Sequence, residues 1–242
     1  ELVDVGTYEI EIEKYDGKLA INSTFFFKDS DKEWNDNCTV DANTFQAIKY
    51  TSDRDQRKYE LNFSKAITGE FLDKNNGEKS AINISIKEKF FDINSYSHFI
   101  GALPLKLGYR AIIPVYDYEA ADKTKIYEVL IKEVKSDIFK STLTGAHDVW
   151  KVSVFEESSG HKYDFFFDKA NRRLWKIDII SKEGDIIKLL DKESDYNPMT
   201  QKFHKESTVK MIADGNSTIK GQVFGRANKN DESWVTVVNW NP

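Results

Sequence analysis

The sequence predicts a mainly β protein: a large antiparallel meander curled into an open or half-closed barrel, with one short covering helix near residues 93–103. Three observations carry that expectation. Apolar and polar residues alternate in run after run, so each run offers one apolar face to a sheet. Turn signals interrupt the runs about every ten residues, which is the grammar of a meander. Finally, the 242 residues include 16 Phe, 11 Tyr and 5 Trp but only 4 Pro, and aromatic side chains favour pleated, half-buried surfaces.

Thr7–Lys14 places Tyr8, Ile10 and Ile12 on one face and Glu9, Glu11 and Glu13 on the other. Asp16–Gly17 is a two-residue hairpin signal, and Lys18–Phe27 returns with Leu19, Ile21, Phe25 and Phe27 on one face. Further strands are expected at Trp34–Val40, Phe45–Ser52, Arg57–Phe63, Ala66–Leu72 and Ser80–Phe90. The period then changes once. Ile93, Tyr96, Phe99, Ile100 and Leu103 have helical spacing, with Asp92 or Asn94 as N-cap and Pro104 as the stop. Strands resume at Tyr109–Asp117, Thr124–Val134, weakly at Ile138–Leu143, and at His147–Glu156.

The clearest run follows, in Lys162–Asp168, Leu174–Ser181 and Ile186–Leu190. Tyr163, Phe165 and Phe167 share a face, as do Trp175, Ile177 and Ile179. Beyond Asp191 the period is lost. Residues 1–195 therefore read as one half-barrel domain, and 196–242 as a C-terminal β extension packed on it. Strands are expected there at Thr208–Ala213, Thr218–Ala227 and Trp234–Trp240.

Composition narrows the function classes. The net charge is −5, from 35 basic and 40 acidic residues mixed along the chain. With no basic block, binding to a nucleic-acid backbone is not expected. Cys38 stands alone, so an intramolecular disulfide is excluded. No apolar run approaches the length of a membrane helix. The chain starts at Glu1 without an initiator Met, which reads as a processed or a truncated chain, an export signal being one segment that processing removes.

Motifs for chemistry are missing. No phosphate-binding glycine loop, HExxH or G-x-S-x-G occurs. His98, His147, His161 and His204 are scattered, so no metal site is expected. Asp73, Asn75 and Gly77 echo a calcium loop, but Ile84 stands where the bidentate Glu belongs. His147 and Asp148, as neighbours on a strand, point to opposite faces. No cofactor and no catalytic residue is expected.

The segments FFDINSYSHFIGALPLKLGYRAIIPVYDY, IYEVLIKEV, GAHDVWKVSVFEE and YDFFFDKANRRLWKIDI follow one another in a characteristic order. In this the chain is similar to the bacterial family of domains of unknown function 3108. The resemblance rests on Phe91–Asp92, Leu103–Leu105, Gly108, Ile113–Val115, Trp150–Val152 and Phe166–Lys169, with Arg172, Leu174 and Lys176. It spans roughly Tyr8 to Leu190. It implies an exported, cell-envelope protein of Gram-negative bacteria, many members being Bacteroidetes-like, with a fold similar to the half-open barrel of the lipoprotein carriers LolA and LolB. The family carries no known catalytic residues.

Two functions are expected from this. One is a periplasmic or envelope binding module with an apolar groove for a lipid, an acyl chain or a hydrophobic segment, lined by Tyr8, Phe25, Phe27, Trp150, Phe165, Phe167 and Trp175. The other is a structural or interaction module that meets an envelope partner through exposed strand edges, with Trp234 and Trp240 as contacts.

Overall fold

A computed structural model describes residues 3–118, 125–191 and 217–225. The first meander consists of β1 (Val3–Tyr15), β2 (Lys18–Phe27), β3 (Glu33–Asp41), β4 (Ala47–Asp53), β5 (Arg57–Phe63), β6 (Ile67–Asp73) and β7 (Lys79–Ile84). A two-residue strand β8 (Phe91–Asp92) and helix α1 (Tyr96–Ala102) come next. The second meander is β9 (Ala111–Asp117), β10 (Lys125–Ser141), β11 (Gly145–Glu156), β12 (Lys162–Asp168), β13 (Leu174–Ile180) and β14 (Ile186–Asp191). The last strand is β15 (Ser217–Gly225).

The fifteen strands among the described residues form one sheet, in the order β7-β6-β5-β4-β3-β2-β1-β15-β14-β13-β12-β11-β10-β9-β8. Every pairing is antiparallel except β8 with β9. The two edges, β7 and β8, are not paired to each other, so the sheet curls without closing into a barrel. Each meander builds itself from sequential hairpins, and β15 joins them by pairing with β1 on one side and β14 on the other. The strand expected at Thr218–Ala227 is therefore an interior strand of the main sheet. The strands expected at Thr208–Ala213 and Trp234–Trp240 lie outside the described residues.

Bulges bend this sheet. Register shifts occur between Asp4 and Gly6, Thr39 and Val40, Ile131 and Glu133, and Phe166 and Phe167. Each adds local twist, which lets a long sheet roll up. Rolling brings rings from opposite halves together: Tyr59 on β5 lies 5.1 Å from Tyr118, and Phe63 lies 5.7 Å from Tyr116 on β9. One apolar core results, with residues from both meanders.

The helix sits inside the roll. Tyr96, Ser97, His98, Ile100 and Gly101 are all buried, and Phe99 stacks on Phe91 and meets Phe45 of the β3–β4 turn. Ser95 is its N-cap residue and makes no side-chain cap bond. Asp92, expected as a possible cap, instead accepts the Asn94 amide at 2.9 Å and holds the turn that leads into the helix. Buried hydroxyls complete the anchoring, since Tyr96 donates to Glu156 of β11 at 2.8 Å. A carboxylate this buried requires such donors.

Three local readings of the sequence differ from the structure. The strand expected at Ser80–Phe90 ends at Ile84. The runs expected at Thr124–Val134 and Ile138–Leu143 are one strand, β10, because β11 pairs with it continuously from Val129 to Ser141, through the polar Lys135–Asp137 stretch. Trp175 does not share a face with Ile177 and Ile179. The bulge opposite Phe167 pairs that residue with Leu174, so Leu174 enters the main core and Trp175 turns to the outer face.

Candidate functional site

The seven aromatic positions expected to line a groove divide into three groups. Tyr8 and Phe25 are cross-strand partners, and Phe165 and Phe167 stack along β12 at 5.9 Å; all four are buried in the main core. Phe27 and Trp150 are half-buried against that core. Phe27 contacts Trp34 edge-on at 4.7 Å, and Trp150 lies cross-strand from Phe167 under the Lys169 ammonium. Trp175 belongs to a separate outer cluster with Phe139, Val149 and Phe166. None of the seven borders the two depressions described below.

The outer cluster gathers polar groups that look reactive at first sight. Thr144 Oγ1 lies 2.5 Å from His147 Nε2, and His147 Nδ1 lies 3.4 Å from Asp168 Oδ2. That is the connectivity of a nucleophile, base and orienting carboxylate. The surroundings give it another role. Asp168 Oδ2 also accepts the Trp175 indole N–H, and Oδ1 accepts the amides of Ala170 and Asn171. The amides of Leu143 and Thr144 both donate to Ser141 Oγ, so they are not poised for an oxyanion. Neither depression adjoins Thr144. The array locks two hairpin turns around Trp175, which is flanked by Phe139 at 5.2 Å and the Arg173 guanidinium at 3.9 Å.

Burial also disarms Cys38. Desolvation, helped by the Asp92 carboxyl, pushes its thiol well above the usual value, and the thiolate is the reactive form. Among the described residues no group of three or more His, Cys, Asp or Glu is placed to hold a metal.

The feature that does stand out lies on the outer face of the second meander. Following the register from strand to strand, Ile112 on β9 pairs with Leu130 on β10, and Leu130 with Phe155 on β11. Phe155 pairs with Lys162 on β12, Lys162 with Ile180 on β13, and Ile180 with Ile186 on β14. The inward neighbours Ile113, Val129, Val154, Tyr163, Ile179 and Ile187 are in the core. Successive side chains alternate across a sheet, so this row points outward on all six strands. Ile112, Ile180 and Ile186 are 64%, 39% and 44% exposed, and Leu130 and Phe155 are half-buried. Six strands at about 4.8 Å spacing give a stripe roughly 24 Å long. Single exposed apolar residues are ordinary; here five of the six aligned positions are apolar, with Lys162 standing between Phe155 and Ile180.

A depression of about 420 Å³ opens on this stripe, lined among others by Phe155, Ile180, Lys132, Lys162, Asp164 and Asp178. That volume is within the range that accommodates small ligands. Its carboxylates are already matched. Asp164 accepts from Lys151 at 2.9 Å and Ser153 at 2.6 Å, and Asp178 meets Lys176 at 2.6 Å. A second depression, of about 310 Å³, lies at the β5–β6 turn.

Sequence reasoning missed the stripe. Each strand contributes one residue, at a position its own alternation assigns to the wet face.

No curated protein matches this chain. A solved structure, described as a putative outer membrane lipoprotein-sorting protein domain from Vibrio parahaemolyticus, is 11% identical over 92% of this chain and 85% of that chain. Its TM-score is 0.28, a level at which no functional or structural conclusion is drawn from it. Residues 2–203 match the family described as Protein of unknown function (DUF3108), so this protein belongs to that family.

Proposed function

We propose that the protein is a non-catalytic binding module of the bacterial cell envelope that takes a lipid, an acyl chain or a hydrophobic segment on the outer face of its second meander. The observation that supports this is the apolar row Ile112–Leu130–Phe155–Lys162–Ile180–Ile186 with its central depression. The inner aromatic face is a weaker site for a ligand, since Tyr8, Phe25, Phe165 and Phe167 already pack against one another and their neighbours. The envelope location rests on the family's sequence character. Covering the exposed part of one such isoleucine contributes on the order of 1 kcal/mol, and these contributions together work against the cost of association.

The test is titration with 1-palmitoylglycerol and 1-palmitoyl-lysophosphatidylglycerol below their aggregation concentrations, followed by native mass spectrometry. Binding of either, lost in Ile180→Asp while the unfolding midpoint is retained, supports the reading. Absence of binding by both overturns it.

The second reading, an interaction module acting through a strand edge, draws on β7. Among the described residues this strand pairs only with β6, and Lys79, Ser80, Ala81 and Asn83 are exposed. Unpaired edge groups template another strand. Under this reading a stable protein complex forms and is dissociated by a Pro at Asn83.

A further inference from the structure

We infer that the ligand of the outer-face stripe is an anionic amphiphile with a single acyl chain, the chain lying along the row and the acidic head seated between Lys132 and Lys162. This rests on the stripe being a binding surface, and it names the chemistry of the occupant.

Three observations carry the inference. First, the charges around the depression are unequal in what they have left to offer. Asp164 and Asp178 are each matched by a lysine, Lys151 and Lys176. Lys132 and Lys162 line the same depression and form no salt bridge among the described residues. Lys132 holds its ammonium over the Phe155 ring at 5.7 Å, which places the cation beside the apolar row.

Second, the two long sides of the stripe differ in charge. On β10, Leu130 lies between Glu128 on one side and the exposed Lys132, at the Ile131–Glu133 bulge, on the other. Glu157 stands beside Glu128, accepting its amide at 3.0 Å. On the Lys132 side the register also brings Asp164 and Asp178, each neutralised by its own lysine, so a negative head is repelled from the glutamates and drawn toward Lys132. A cationic amphiphile would face the reverse field and two carboxylates already engaged.

Third, the stripe contributes one residue from each strand, so it has the width of one acyl chain and not of a diacyl pair. Acid group and single chain together describe an anionic monoacyl lipid, for which a lysophospholipid is the probe.

The experiment compares 1-palmitoyl-lysophosphatidylglycerol, 1-palmitoylglycerol and glycerol 3-phosphate by calorimetric titration against the full chain. The anionic lipid is expected to bind about tenfold more tightly than the neutral one in 20 mM salt, as two partly exposed charge pairs allow. The margin should shrink in 500 mM salt, where exposed pairs are screened. Lys132→Gln with Lys162→Gln should erase the preference, lowering affinity for the anionic lipid to that for 1-palmitoylglycerol. Equal binding of the two lipids by the unaltered protein overturns the anionic head while leaving the stripe as a binding surface. Failure of both lipids overturns the stripe itself. Glycerol 3-phosphate binding as tightly as the lysolipid overturns the role of the chain and leaves a simple anion site. Circular dichroism of the double variant, which alters two exposed lysines only, separates a lost fold from a lost preference.

Discussion

Trp175 shows how little a single residue's pattern can settle. Leu174 and Trp175 are adjacent and both apolar, so alternation permits either to face the core. The choice is made by the bulge that pairs Phe167 with Leu174, and no residue signal announces it. Once turned outward, Trp175 depends on Asp168, whose two oxygens accept the indole N–H and two turn amides. Asp168→Ala should destabilise the protein by roughly 2–4 kcal/mol, because several buried donors lose their acceptor together. Urea unfolding measures it, and a loss below half a kcal/mol would refute the anchoring role. Gly69 is a second residue whose need is purely spatial. A Cβ there would come 1.9 Å from the Glu60 carbonyl oxygen and 3.0 Å from its carbon. The contact is with the partner strand's backbone, which cannot rotate aside. Gly69→Ala should therefore force β5 and β6 apart at a cost of about 3 kcal/mol. An unchanged unfolding midpoint in that variant would show that the strands yield.

At the scale of the element, the helix expected near residues 93–103 appears at Tyr96–Ala102. Its setting was less legible, because burial on nearly every side comes from the roll of the sheet and not from the helix's own period. That setting places two titratable groups in the interior. Burial pushes Asp92 from 3.8 up to about 7, opposed by the Asn94 amide and reinforced by Asp117. Burial also pushes His98 from 6.5 down to about 3. Between about pH 4 and 7 the folded chain keeps a proton on Asp92 that the unfolded chain has released, so this group makes stability fall as pH rises. Between about pH 3 and 6.5 the unfolded chain holds a proton on His98 that the folded chain lacks, so this group makes stability rise with pH. The two slopes oppose each other over their shared window, and the pH dependence from this pair nearly cancels there. Single variants should unmask it. In Asp92→Asn, stability measured by urea unfolding should climb from pH 4 to 6.5. In His98→Leu, it should decline from pH 4 to 7. Profiles parallel to that of the unaltered protein in both variants would mean that neither group titrates across folding as burial requires.

For the molecule as a whole, the meander order was largely readable, since hairpin turns and alternation are local. What was not readable is every property that depends on register between strands. The outer stripe is such a property: Ile112, Leu130, Phe155, Ile180 and Ile186 are far apart in the chain and align only through five successive pairings. The position of β15 is another. Sequence placed a strand near residues 218–227 and gave no partner for it, yet this strand joins the two meanders by lying between β1 and β14. Its removal leaves the halves in contact through rings such as Tyr59 and Tyr118, and Phe63 and Tyr116, so a chain ending at residue 195 should retain strand content in circular dichroism. It would also have two long unpaired edges where β15 had been, and open edges pair with other chains. The shortened protein should therefore self-associate in light scattering at concentrations where the full chain keeps its native mass. A synthetic peptide of residues 217–225 should reverse that association by occupying the gap. If the shortened chain keeps the full chain's association state and ignores the peptide, the two meanders are held by their core alone and β15 is not the link.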